Sequence, residues 1–201
     1  AHSHIWTNNS AELKKFPLAD GRTIDDLKPT RFTAGDLIIL GITQGVKRHV
    51  IISHRHYHGF SNDYYTHAVA KHPGIFAVVG ALDHNKLNIK ARIKANRPLG
   101  ITGYRIKPDG QGLRWLENDR MNEMWRATGN ESVAICLLID PEYVATIAPM
   151  AKRYPHTKVV IDHCARIDKQ HTKELNDLCN LAKHRNVFVK ISAFYAFGAK
   201  K

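Results

Sequence analysis

The chain opens Ala1-His2-Ser3-His4-Ile5-Trp6, and its two histidines are the first residues with the chemistry for a reaction centre. On a β-strand, positions i and i+2 face the same side, so His2 and His4 would send two imidazoles into one cavity. Neutral imidazole is a common ligand for zinc and related divalent ions, and a catalytic zinc takes three protein ligands plus a water in an open position. Taken alone, the spacing is more often that of incidental histidines; the rest of the chain has to supply the third ligand. His163, in Val159-Val160-Ile161-Asp162-His163-Cys164, comes straight after an apolar run and is that candidate. Strand alternation turns Asp162 to the opposite side, where it supports structure, and gives Cys164 the same parity as a small buried hydrophobe.

Further polar groups accompany these three. Arg105 sits in the otherwise apolar Gly103-Tyr104-Arg105-Ile106, and a guanidinium there needs a carboxylate partner, either a core acid or a substrate. Arg166, three residues past His163, carries the same balance, and Lys190 either faces inward or snorkels to solvent. His54, His56 and His58 fall on a loop without fixed facing; His56, beside Tyr57, is taken as the substrate contact, with the others solvated. His49 and the histidines of helices and helix ends read as surface residues.

Stepping from residues to elements, Thr33-Ala34-Gly35-Asp36 has the form of a capping box ahead of the first clear helix. Before it, residues 7–31 read as a polar, proline-bearing stretch. Strands are predicted at 49–53, 75–82, 100–106, 133–139, 158–164 and 187–192, with helices at 61–71, 86–95 and 118–127, one on the face of Tyr143, Ile147, Met150 and Tyr154, and one around Leu175 to Leu181. Counting the opening segment, serial βα units imply a parallel sheet with right-handed crossovers. Either a doubly wound open sheet or a (β/α)8 barrel would satisfy this. No glycine-rich phosphate fingerprint follows the first strand, and polar residues end several strands, as a barrel mouth requires. The expected fold is therefore a single α/β domain over residues 1–201, a (β/α)8 TIM barrel lacking its eighth strand and final helix, because such barrels typically need about 250 residues. A fragment, or a barrel completed by a second polypeptide, is expected.

Composition narrows the function classes. At 201 residues and 43% hydrophobic content the chain can bury one substantial core, and its apolar runs are too short for a membrane span. Three cysteines without CxxC spacing suggest neither a disulfide framework nor a thiolate zinc site, so a reduced, cytoplasmic setting is expected. The net charge of +12 is spread over helix faces and loops without interleaved aromatics, which disfavours nucleic acid and suits a small anionic substrate.

Several blocks together resemble a known family. They are the opening His-x-His-x-Trp, Tyr57-His58-Gly59-Phe60-Ser61-Asn62 with Tyr65, His72-Pro73-Gly74, Gly100 to Ile106, Ile161-Asp162-His163-Cys164-Ala165-Arg166, and Val189 to Tyr195. The chain is similar over nearly its whole length to amidohydrolase family 2, the metal-dependent TIM-barrel hydrolases. That resemblance implies His2, His4 and His163 as metal ligands, with an acid on the eighth strand completing the site, beyond Lys201. It implies a divalent ion, zinc first, with metal-free operation as the alternative. It also implies hydrolysis of a small lactone, ester or amide, for which the residue reading offers Arg105, Arg166, His56, Tyr57 and Lys190 as substrate contacts. Ser53 stands where many relatives carry Gln, and His58 has the look of an insertion. Rival readings are a decarboxylase of the same superfamily, and an inactive truncated barrel or basic binding module. Assembly into a homo-oligomer is compatible with all of them.

Overall fold

Short β-branched runs alternate with helices along the computed structural model, which describes residues 2–108 and 110–193. Phe194 and Tyr195, and the chain end at residues 198–201, lie outside the described residues. The strands are β1 (His2–Ser3), β2 (His49–Ile52), β3 (Phe76–Ala81), β4 (Ile101–Ile106), β5 (Ala134–Leu137), β6 (Val159–Ile161) and β7 (Val187–Val189), and their order in the sheet follows the chain. Pairing is parallel from β1 through β3 and from β4 through β7. This order separates the two closures left open by the sequence. A doubly wound sheet reverses its strand order at a switch point. Here each crossover advances by one strand; right-handed connections then place the helices on one face, the topology of a (β/α)8 barrel.

The chain divides into two compact units, one of residues up to Asp83 with Asn96–Thr102, the other of His84–Ala95 with residues from Gly103 onward. In the first unit, α1 (Ser10–Lys15) occupies the stretch read as irregular. None of its residues is buried, so it lacks the apolar stripe that reveals a helix. It is set by its ends: Asn9 Oδ1 accepts from the Ala11 and Glu12 amides, both at 3.0 Å, and Lys14 and Lys15 lie in the last turn. The box before α2 (Ala34–Thr43) forms as its spacing predicts, with Thr33 N–H donating to Asp36 Oδ2 at 2.9 Å and the Asp36 amide to Thr33 Oγ1 at 3.3 Å. A one-turn α3 (Arg55–His58) and then α4 (Asp63–Lys71) follow β2.

Asn62, just ahead of α4, ties that helix to β3. Its Nδ2 donates to the Ala81 carbonyl at 2.9 Å and its Oδ1 accepts the Ala81 amide at 2.8 Å. Such close approach is possible because residue 80 is glycine: a Cβ there would lie 2.6 Å from Asn62 Oδ1. We expect Gly80→Ala to cost about 2–3 kcal/mol, combining overpacking with the loss of these bonds. Adding Asn62→Ala on top should cost little more, since both changes remove one interaction. Urea unfolding of the two single variants and the double checks this; simple additivity would contradict it.

The second unit is centred on Tyr104, Trp115, Trp125, Ile135 and Leu137, all essentially inaccessible to solvent. Here β6 ends at Ile161, earlier than the expected residue 164. His163, Cys164, Ala165 and Arg166 instead make a left-handed turn, with φ of 56°, 46°, 54° and 54°. An L-residue there costs roughly 1–2 kcal/mol, so four in succession persist only where the surroundings hold them. The strand-parity argument therefore does not apply to this segment, and Cys164 is half-buried instead of a core hydrophobe. Among the described residues, no helix is long and apolar enough to cross a membrane.

Candidate functional site

Within each unit the parallel strands end on one side, and most of the sequence-predicted residues lie at or just past strand ends. In the first unit, His2 lies in β1 and His4 directly follows it; their ring centroids are 5.2 Å apart. His4 Nδ1 lies 2.8 Å from the Ile52 carbonyl. A carbonyl oxygen can only accept, so Nδ1 carries a proton, and in the neutral ring Nε2 is then the nitrogen able to ligate a metal. His54 extends the row, 5.1 Å from His4. Its amide donates to Tyr65 Oη at 2.8 Å, and its ring stacks on Tyr57 at 4.1 Å.

Among the neighbouring residues, two histidines depart from the sequence reading, His58 and His49. His56 is exposed, on the outer side of α3. Tyr57 is 5% exposed; it packs with Trp6 and Leu27, and its hydroxyl accepts the Lys28 amide at 3.1 Å. It therefore anchors the loop after β2. His58, expected to be solvated, is buried and stacked on Tyr64, and burial pushes its imidazole down to about 4. His49, expected at the surface, is buried too, its ring seated where a Cβ on Gly41 would lie 2.5 Å from Nε2. Histidine's polarity hid both: an imidazole is small and flat enough to stack in an aromatic cluster once neutral.

In the second unit, Arg105 precedes the last residue of β4, residues 162–166 follow β6, and Lys190 follows β7. Asp162, fully buried, joins two of them. Its Oδ2 accepts from Arg105 Nε at 3.0 Å and Nη2 at 2.7 Å, and its Oδ1 from Lys190 Nζ at 2.6 Å. The core-acid partner weighed for Arg105 is thus Asp162. Strand alternation does not single out this acid, because the strand ends at Ile161; an acid at a buried strand end, in a chain with two interior cations at other strand ends, is the signal that does. Arg166 forms an ion pair with Asp140 on the segment after β5. His163 Nδ1 is 2.9 Å from Ser192 Oγ. Burial lowers the His163 pKa; Asp162 opposes the effect, while Arg105, Lys190 and Arg166 add to it. The neutral ring favoured by these surroundings is the form that binds metal.

Residues 1–200 match the protein family described as amidohydrolase. A probable 2-pyrone-4,6-dicarboxylic acid hydrolase from Acinetobacter baumannii, solved with citric acid bound, is similar at 19% identity and TM-score 0.80, over 99% of this chain and 71% of its own. An amidohydrolase from Burkholderia multivorans with bound zinc is similar at 14% identity and TM-score 0.75, over 98% of this chain and 70% of its own. A 2,6-dihydroxybenzoate decarboxylase complexed with 2,6-dihydroxybenzoate is similar at 12% identity and TM-score 0.62, over 96% and 80%. No curated protein sequence matches. The shared fold is the (β/α)8 barrel, of which seven strands lie among the described residues.

Proposed function

This chain belongs to the amidohydrolase family, and we propose that it serves the hydrolysis of a small carboxylated lactone or a related ester or amide. The observation that carries the reading is the His4 tautomer: an imidazole whose Nδ1–H is committed to a backbone carbonyl presents Nε2 as a ligand. His2, in the strand that His4 follows, is the second imidazole of the first unit, and the family resemblance implies His163 of the second unit, with Ser192 against its Nδ1, as a further ligand. The donor set suits zinc, which favours histidine nitrogen. When bound, such an ion supplies Lewis acidity toward a carbonyl and lowers the pKa of a coordinated water toward ~7.

The chain's own residues supply recognition. Arg105 and Lys190 keep 13% and 21% of their side-chain surface accessible while Asp162 keeps none, so an incoming carboxylate meets the cations and not the buried acid. Arg166, beside the same turn, offers a further guanidinium that opposes developing negative charge on a carbonyl oxygen. With three cations set against Asp162 and Asp140, the cluster retains positive charge for an anionic substrate. His56, exposed on α3, is a candidate contact at the rim. The acid that the family resemblance expects on an eighth strand has no counterpart among the described residues.

Metal content and turnover test the assignment. The unsubstituted chain is expected to hold a divalent ion, and His4→Ala and His163→Ala to lose it. Ser192→Ala should weaken metal affinity by about 10–100-fold, the usual effect of removing a group that orients a ligand. Unchanged metal content in both histidine variants would reject the ligand set. The fold likeness to a decarboxylase supports a second reading, in which the same cations hold an aromatic acid. Release of carbon dioxide from dihydroxybenzoates, without hydrolysis of any lactone, would favour it.

A further inference from the structure

We infer that Asp162 is a positioning residue that clamps Arg105 and Lys190 into a single receptor for one carboxylate group. The inference rests on the carboxylate-binding role just proposed for those two cations. Three features carry it. First, the two oxygens of Asp162 are divided between the partners: Oδ2 takes the Nε–Nη2 edge of the guanidinium, and Oδ1 takes the ammonium. Second, the acid is fully buried while both cations stay partly accessible, so solvent and a carboxylate arriving from it reach the cations before the acid. Third, the backbone around it is tied to the same strands. Lys190 N–H donates to the Ile161 carbonyl at 2.8 Å, and Cys164 N–H to the Lys190 carbonyl at 3.2 Å, so the residues flanking Asp162 are held to the β7 end that carries the ammonium.

Two like charges drawn to one buried acid come closer than they would unaided. Their mutual repulsion is screened by the carboxylate between them, and each long side chain gives up its rotamer freedom before a ligand arrives. The cluster is thus arranged for an anion's two oxygens, one toward each cation. A surplus of charge alone would attract anions but would not hold Arg105 and Lys190 in register.

The two explanations differ in sign for Asp162→Asn. Removing the acid raises the local positive charge by one, so Coulomb attraction alone predicts tighter anion binding. Loss of the clamp predicts weaker binding, because the cations separate. Isophthalate, an unreactive aromatic dicarboxylate, is the probe, titrated by calorimetry into the full 201-residue chain. We expect Asp162→Asn to weaken isophthalate binding at least tenfold; equal or tighter binding overturns the clamp. Asp162→Glu leaves the charge unchanged and displaces only the oxygens, so it should also weaken binding several-fold, and unchanged affinity counts against the inference. Should either variant fail to fold, the unsubstituted chain still decides. The side-chain nitrogen resonances of Arg105 Nε and Lys190 Nζ are expected to shift together along one isophthalate titration curve; movement of one without the other overturns the shared receptor. No binding at all by the unsubstituted chain would instead remove the carboxylate-binding reading on which the clamp rests.

Discussion

Truncating Asp162 to alanine is expected to lower folding stability by about 3–5 kcal/mol, the range seen when one partner of a buried ion pair is removed. Two terms add. The variant strands the Arg105 guanidinium and the Lys190 ammonium beside each other, largely shielded from water, and each loses a partner within 3.0 Å. It also loosens Lys190, whose carbonyl accepts the Cys164 N–H of the left-handed turn, where each of four residues costs roughly 1–2 kcal/mol. For a chain of this length, such a loss corresponds to a fall in Tm of roughly 6–20 °C. Chemical denaturation at neutral pH measures it, and a loss below about 1 kcal/mol would show that the ions are better hydrated than their burial implies. The companion variant is as informative: replacing Arg105, Asp162 and Lys190 together by apolar residues of similar volume should be close to neutral, because the desolvation of three ions is removed along with their attraction. The cluster would then be a feature kept for binding and not for stability.

Stability should also fall by roughly 3 kcal/mol between pH 8 and pH 4 on account of His58 alone. Its imidazole is 4% exposed, stacked face to face on Tyr64 at 5.4 Å and edge-on to Tyr65 at 5.3 Å. Burial is the main cause of its depressed pKa of about 4, the charge of His54 adds to it, and a hydrogen bond with the Pro17 backbone opposes it. In the unfolded chain the same ring titrates near 6.5. Between those two values the unfolded state binds the extra proton, so unfolding is favoured progressively as pH falls. The contribution is whole above about pH 6.5 and lost by about pH 4. Asp36, whose carboxyl is held low by its bonds to Thr33, loses its contribution at more acidic pH and so falls outside this window. Replacing His58 by Phe keeps a stacked ring without a titrating group. Urea midpoints measured from pH 8 to pH 4 should fall less steeply in His58→Phe than in the unsubstituted chain; parallel curves would mean that His58 is protonated within the fold.

Much of the architecture was legible in local signals. β-branched runs separated by helix-length segments marked the number of strands and their places along the chain, since a strand buried on both faces leaves few alternatives to apolar residues, while their order in the sheet came only with the structure. The capping box at Thr33 and Asp36 set the start of α2, because its two reciprocal bonds involve only neighbours in the chain. The helix at Ser10–Lys15 escaped notice for the opposite reason: its cap was present at Asn9, but it buries nothing and leaves no periodic trace.

The polar residues divide along the same line. His2, His4, Arg105, His163, Arg166 and Lys190 could be chosen from the sequence because charged and ligating groups at the ends of apolar strands are costly unless used. What they touch could not. That Asp162 serves Arg105 and Lys190 at once is a relation between residues 57 and 28 positions apart, set by which strands adjoin. Whether the histidine at 58 is solvated or stacked among tyrosines was likewise decided by packing, as was the turn that removes residues 163–166 from the strand. Composition and spacing determine which groups must find partners and roughly where the chain turns. Only tertiary contact decides the partners, because burial changes the free energy of a charge by more than any local preference of the backbone can.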